Sequence, residues 1–178
     1  NATNGAVRWE TTVVTPRGSN EVERLSDVLG EAAVVSDSVC VAAYQNQISC
    51  HEVGTGRAKW TQRLDVSQPV AADQTLVIGV EANSRVHAYD RATGEKRWSQ
   101  LGLFLRGATE AVSFDRAIWI ADQDGYLHGL SRDSGQFIAR VSLPGGKPAG
   151  RMLVTREGLL IQTQSGRLML MSASAMAK

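Results

Sequence analysis

Thr55-Gly56-Arg57-Ala58-Lys59-Trp60 and Thr93-Gly94-Glu95-Lys96-Arg97-Trp98 are one phrase written twice: a turn glycine with a tryptophan four residues later. It occurs earlier as Asn4-Gly5-Ala6-Val7-Arg8-Trp9. It occurs later as Ser134-Gly135-Gln136-Phe137-Ile138-Ala139, where alanine stands in the tryptophan position. The glycines step by 51 residues (5 to 56), 38 (56 to 94) and 41 (94 to 135). Asp124-Gly125-Tyr126-Leu127-His128 matches Ser165-Gly166-Arg167-Leu168-Met169 at the same interval of 41, and apolar strands run into acidic turns at Asp37, Asp73, Asp115 and Glu157. The repeating unit is therefore about 40 residues long. Inside it the period is two: Val86, Ala88 and Asp90 share one face, Arg85, His87 and Tyr89 the other. Glycine supplies the positive φ that hairpin turns demand, and no stretch carries a helical period between caps. Units of this length with four short strands are propeller blades. The sequence thus predicts an all-β fold, a β-propeller of four-stranded antiparallel blades, with the tryptophan on each outermost strand packing between neighbours.

Residues 6–14 are expected to supply one outer strand, 31–63, 67–100 and 108–142 complete blades, and 149–172 three inner strands. That is four blades' worth in a partial propeller over residues 1–178. The spare outer strand at one end complements the missing one at the other. Two closures follow, a two-chain ring or a tight four-blade closure of one chain on itself.

Composition excludes several classes. Of 178 residues 43% are hydrophobic, too many for disorder. Nineteen Lys+Arg against eighteen Asp+Glu leave a charge of +1, which offers no general attraction to nucleic acid or acidic membranes. No run approaches the roughly 20 apolar residues of a spanning helix. Asn1–Gly5 has neither the basic nor the apolar region of a signal peptide, as expected of a mature or truncated piece of something longer.

Two cysteines flank a predicted hairpin, Ser38–Tyr44 and Gln47–His51. A two-residue Gln45-Asn46 turn puts Cys40 opposite His51 and Cys50 opposite Val41, on opposite faces. A turn differing by one residue makes the cysteines direct partners, and the pairing stays open at this level.

The chain carries no Gly-x-Ser-x-Gly elbow, no His-Glu-x-x-His and no Walker pattern. Pro144-Gly145-Gly146-Lys147-Pro148 reads as a turn, because Pro148 stands where a phosphate loop needs Ser or Thr. His87 and His128 occupy equivalent third-strand positions, which diverge on successive blades, and His51 is out of register by two; no metal site is expected. Basic residues are not interleaved with aromatics, so single-strand stacking is disfavoured. No catalytic residue and no cofactor are expected.

Two connections depart from the repeat. Trp9 to Val34 is 25 residues, against 10 from Trp60 to Val70 and 14 from Trp98 to Val112. The extra length falls around Thr15–Gly30 and includes Glu21-Val22-Glu23-Arg24-Leu25-Ser26-Asp27-Val28-Leu29, a mixture of charge and apolar residues that suits either a protein contact or a solvated loop. Leu101-Gly102-Leu103-Phe104-Leu105-Arg106-Gly107 is unusually apolar for a connection. It reads as inter-blade packing or as an exposed partner patch through Leu103, Leu105 and Arg106.

The Thr-Gly-x-x-x-Trp turns resemble those of the PQQ-type propeller repeat. Glu21–Val28, Ala43–Tyr44 and Asp124–His128 are more narrowly similar to the BamB family, the propeller lipoproteins of the bacterial outer-membrane β-barrel assembly machinery. The resemblance covers nearly the whole chain and about the C-terminal half of that family's eight-bladed ring. It implies a non-catalytic scaffold at the periplasmic face of the outer membrane, anchored by an N-terminal lipid. It also implies binding to the POTRA domains of BamA and assistance to the insertion of outer-membrane proteins, with nascent barrel proteins as further partners. The Arg24-Leu25-Ser26-Asp27 loop then belongs to the docking surface, which carries over Arg24 and Asp27 with Leu25 between them. The family often has a second acidic residue where this chain has Leu29. A fragment of a PQQ-dependent dehydrogenase is the alternative, supported by the turn alone. Such an enzyme needs a Ca²⁺-binding carboxylate cluster and a central stacking tryptophan, whereas Trp9, Trp60 and Trp98 fall on outer strands and Trp119 on a second strand.

Overall fold

A computed structural model describes residues 3–14 and 27–173. All fifteen of its named elements are strands. The first blade is β1 (Val28–Val35), β2 (Ser38–Ala43), β3 (Gln47–Glu52) and β4 (Ala58–Arg63). The second is β5 (Ala71–Ala72), β6 (Leu76–Val80), β7 (Val86–Asp90) and β8 (Lys96–Gln100). The third is β9 (Val112–Phe114), β10 (Ala117–Ala121), β11 (Tyr126–Ser131) and β12 (Phe137–Ser142). The fourth has three strands, β13 (Leu153–Val154), β14 (Leu159–Gln162) and β15 (Leu168–Met171). Every sheet is an antiparallel meander in chain order, innermost strand first. The four inner strands surround a central cavity of about 630 Å³. Arg151 reaches across it to Glu31 and Glu110. Burial pushes the Glu110 carboxyl up, against the pull of Arg151.

Three apolar clusters join the blades face to face. Cys40, Ala42 and Ile48 of the first meet Val77 and Tyr89 of the second. Ile78, Val80 and Ala88 meet Ile118, Ile120 and Leu130 of the third. Trp119, Ala121 and Leu127 meet Leu159 and Ile161 of the fourth. The repeated glycine and tryptophan are two halves of one joint, made between units. Trp60 lies against Gly94 of the next blade and donates its indole N–H to Arg91 O at 2.8 Å. Trp98 does the same with Gly135 and Arg132 O at 2.7 Å. These glycines sit at φ 74° and 70°, and any Cβ would overlap the indole, so glycine is required twice over. The arginine whose carbonyl takes the indole N–H also reaches back to the preceding blade's turn, Arg91 to Asp37 at 3.1 Å and Arg132 to Asp73 at 2.8 Å. Hydrogen bonds from Lys59 and Arg91 hold the Asp37 carboxyl well below the usual carboxylate range.

Two expectations are corrected. Residues 6–14 lie in no named strand among the described residues. Their tryptophan is nevertheless in place: Trp9 packs on Gly56 and donates to Val53 O at 2.8 Å, the same joint as at Trp60 and Trp98. Trp9 thereby holds the place that Trp60 and Trp98 hold on β4 and β8. The hairpin turn is the second correction. It has three residues, Tyr44-Gln45-Asn46, because Gln45 takes a left-handed φ of 49° and Ala43 pairs with Gln47. The register moves by one, and Cys40 and Cys50 become direct partners joined as a disulfide. Replacing both cysteines by alanine should cost about 3 kcal/mol, from the loop entropy restored to the unfolded chain. A urea titration checks this through a lower midpoint, and a shift worth under ~1 kcal/mol would refute it.

Candidate partner-docking site

The connections between blades and the β2–β3, β6–β7, β10–β11 and β14–β15 turns share one face of the propeller. Backbone hydrogen bonds stitch them together: Gln45 N to Val66 O (2.8 Å), Leu105 N to Asn83 O (2.8 Å), Gln123 N to Arg106 O (3.0 Å) and Gln164 N to Lys147 O (3.1 Å). Asp27 lies on this face as well, its carbonyl accepting from Tyr44 N at 2.8 Å. Arg24 and Leu25 lie outside the described residues. Leu29 falls within β1, opposite Ala42, and packs half-buried on the first inter-blade cluster. It is therefore a core contact, because the first blade begins three residues before the expected position 31 and draws this side chain inward.

The connection 101–107 splits the two readings of its apolar run between its leucines. Leu103 is fully buried among Ile78, Val80, Ile118 and Ile120, which corrects its assignment as a contact residue. Leu105 is 67% exposed and Phe104 48%. The backbone decides between them. Leu105 sits at φ 58°, a left-handed conformation that costs a branched side chain on the order of 1–3 kcal/mol. It is held there by its N–H on Asn83 O and by Arg106 N on Leu103 O (2.9 Å). Strain that aims a leucine at solvent has no packing benefit within the blade. Arg85 lies over the Phe104 ring at 5.4 Å, and Leu101, Phe137 and Ile138 extend the exposed apolar surface.

Beneath the loop is an ionic network. Asp122, fully buried, accepts from Arg106 Nε (2.9 Å) and Nη2 (2.7 Å), and its Oδ2 lies 2.8 Å from His128 Nε2. Its Oδ1 accepts the N–H groups of Asp124 and Tyr126, each at 3.0 Å. Arg106 also reaches Asp124 at 2.8 Å. Burial alone raises the Asp122 carboxyl; the hydrogen bonds from His128, Tyr126 N–H and Arg106 outweigh it and hold the group below its ordinary value. Arg106 is thus the clamp that fixes the loop to the β10–β11 turn. The preceding blade repeats the motif with Glu81 3.2 Å from His87 Nε2, where burial pushes the imidazole down. A carboxylate six residues before a third-strand histidine was the signal in the sequence for both pairs.

Beside the patch is a cleft of about 340 Å³ lined by Gly102, Arg106, His128, Phe137, Ala139 and Arg140. One joint earlier, the residue four after the tryptophan is Leu64, buried against Gly79. Here that position is Gly102, and the Phe137 ring lies against it where a Cβ would stand. Arg140 stacks on the Tyr126 ring at 3.8 Å. Apolar surface rimmed by guanidinium groups is the composition of binding hot spots.

Residues 1–100 match the family model described as "Outer membrane protein assembly factor BamB". The chain belongs to the BamB family. It is 34% identical over 175 residues to the BamB of Bordetella pertussis, covering 98% of this chain and 45% of that protein. The crystal structure of BamB from Moraxella catarrhalis superposes with a TM-score of 0.76 at 30% identity, covering 85% of this chain and 45% of that one. The computationally designed Ika4 protein superposes with a TM-score of 0.70 at 13% identity, a likeness of fold alone. The chain spans about 45% of the length of these BamB proteins. Family membership displaces the dehydrogenase reading, whose support was the shared turn.

Proposed function

We propose that this chain is a non-catalytic docking element of the outer-membrane β-barrel assembly machinery. It works at the periplasmic face of the outer membrane, binds the POTRA domains of BamA and assists insertion of outer-membrane proteins. The relatives are named as outer membrane assembly factors, and no helix among the described residues is long and apolar enough to cross a membrane. The observation that carries the reading is Leu105, exposed, held in a strained backbone and flanked by Phe104 and the clamped Arg106. Asp27, on the same face two connections earlier, belongs to the same surface. Leu103 and Leu29 serve it from behind as packing.

Leu105→Gly separates binding from folding. Glycine relieves the left-handed strain, so the melting temperature should hold or rise. Calorimetric titration with a soluble POTRA fragment of BamA should show affinity reduced about tenfold or more, as for loss of an interface anchor. Asp27→Arg should weaken the same binding through charge reversal. Wild-type affinity in both folded variants would remove this face from the interface.

A further inference from the structure

We propose that the cleft between the 101–107 connection and the outer strands of the third blade takes a carboxylate side chain of a partner polypeptide. Arg140 holds the carboxylate, and the partner's neighbouring apolar residue rests on Phe137. This builds on the reading of this side of the propeller as a docking surface and names what that surface recognises.

Comparison of two successive blades shows what is unusual here. His87 pairs with Ser99 across β7 and β8, and His128 pairs with Arg140 across β11 and β12. Ser99 bonds His87 Nδ1 at 2.8 Å and occupies that nitrogen. Arg140, in the place of Ser99, turns onto the Tyr126 ring instead, 3.8 Å from its centroid. His128 keeps Nε2 on Asp122 at 2.8 Å, and its Nδ1 has no hydrogen bond among the described residues. The cleft of about 340 Å³ stands at this position, with Arg106, His128, Phe137 and Arg140 in its walls.

The charges select the ligand. Arg106 is committed to Asp122 at 2.7 Å and Asp124 at 2.8 Å, and Arg132 to Asp73 at 2.8 Å. Arg140 is exposed and has no carboxylate partner among the described residues. Its one charge matches a single carboxylate better than the two of a phosphate. Stacking engages the face of the guanidinium and leaves its N–H edge open, the geometry that takes a carboxylate with two parallel hydrogen bonds. The ring also holds that edge in place before the partner arrives, which lowers the cost of ordering it. His128 adds a second requirement. With its Nε2 proton on the Asp122 side, Nδ1 is an acceptor. A phosphate or a free carboxylate has nothing to donate to it, whereas a polypeptide brings a backbone N–H beside its carboxylate. Phe137 and Ile138, both exposed, supply the apolar contact.

Fluorescence anisotropy with a fluorescein-labelled peptide alternating glutamate and leucine should show saturable binding to the 178-residue chain. The counterpart with glutamine for glutamate should not bind. Arg140→Gln should weaken binding about tenfold or more and fold as the wild type does by circular dichroism. Arg140→Lys keeps the charge without the planar fork, so its affinity should stay below wild type. Equal binding of the two peptides would overturn the proposal, as would wild-type affinity in folded Arg140→Gln. Displacement of the peptide by an equal concentration of inorganic phosphate would overturn it too. Leu105→Gly leaves Arg140 and Phe137 in place and should bind the peptide normally. A wild-type chain that takes the peptide but not the POTRA fragment would sink the BamA reading alone; one that takes the fragment but not the peptide would sink this proposal alone.

Discussion

Asp122→Ala is expected to lower stability by about 3–5 kcal/mol, because it strips the counter-charge from groups that folding has taken out of water. Arg106, His128 and the N–H groups of Asp124 and Tyr126 converge on this one carboxylate, itself wholly buried. Arg106 retains Asp124, at the exposed rim; His128 and the two amides lose their acceptor. The connection 101–107 loses the clamp that sets the aim of Leu105, so binding through this loop should fall with stability. Hydrogen exchange at the Leu105 and Gln123 amides, which bond to Asn83 O and Arg106 O, should speed up more than exchange in β6 and β7.

Asp122→Asn tests the charge with the shape kept. The folded carboxyl titrates below its unfolded value of about 3.9, so its contribution is complete above that value. It is lost as pH falls through the folded one. The wild type should therefore exceed Asp122→Asn in stability at pH 7, and the gap should narrow below about pH 4. Taking the difference between two variants cancels Asp73 and Asp90, which titrate low in both. A gap that stayed constant down to acid pH would show that the charge contributes nothing.

What the sequence disclosed and withheld divides by the range of the interaction. Blade number and strand order were legible because alternation and turn glycines are local, and the turn Gly56-to-Trp60 spacing repeats without tertiary help. The hairpin at Tyr44–Asn46 was misread because one left-handed residue, Gln45, is not marked by its type, and a single-residue slip reverses both faces. Leu103 and Leu105 look alike in sequence. Which one enters the core depends on a φ set by Asn83, 22 residues away along the chain. Asp122 was not singled out, because its importance lies in Arg106 and His128. For it a local signal did exist, the acid six residues before histidine in two successive units. The tryptophan was legible as a contact between neighbouring blades; its partner, the turn glycine of the next unit, was not, because that pairing is made only across the joint.

That joint makes the second large prediction. Trp98 is 7% exposed, covers Gly135 and donates to Arg132 O. Trp98→Ala should cost about 3–5 kcal/mol, the range for emptying a buried aromatic site, with Arg132 O left without its donor. Gly135→Ala should also destabilise, for two separable reasons: φ of 70° disfavours any Cβ, and the new methyl overlaps the indole. With the indole already gone, the overlap vanishes and the backbone cost of about 1–2 kcal/mol remains. The double variant should therefore be more stable than the sum of the single losses predicts, by more than ~1 kcal/mol. Strict additivity in denaturant titrations would mean that the two residues do not meet in solution, and the reading of Gly-x-x-x-Trp as an inter-blade joint would fail. Trp9→Ala, at a half-exposed copy of the same joint on Gly56, should cost less in an isolated chain.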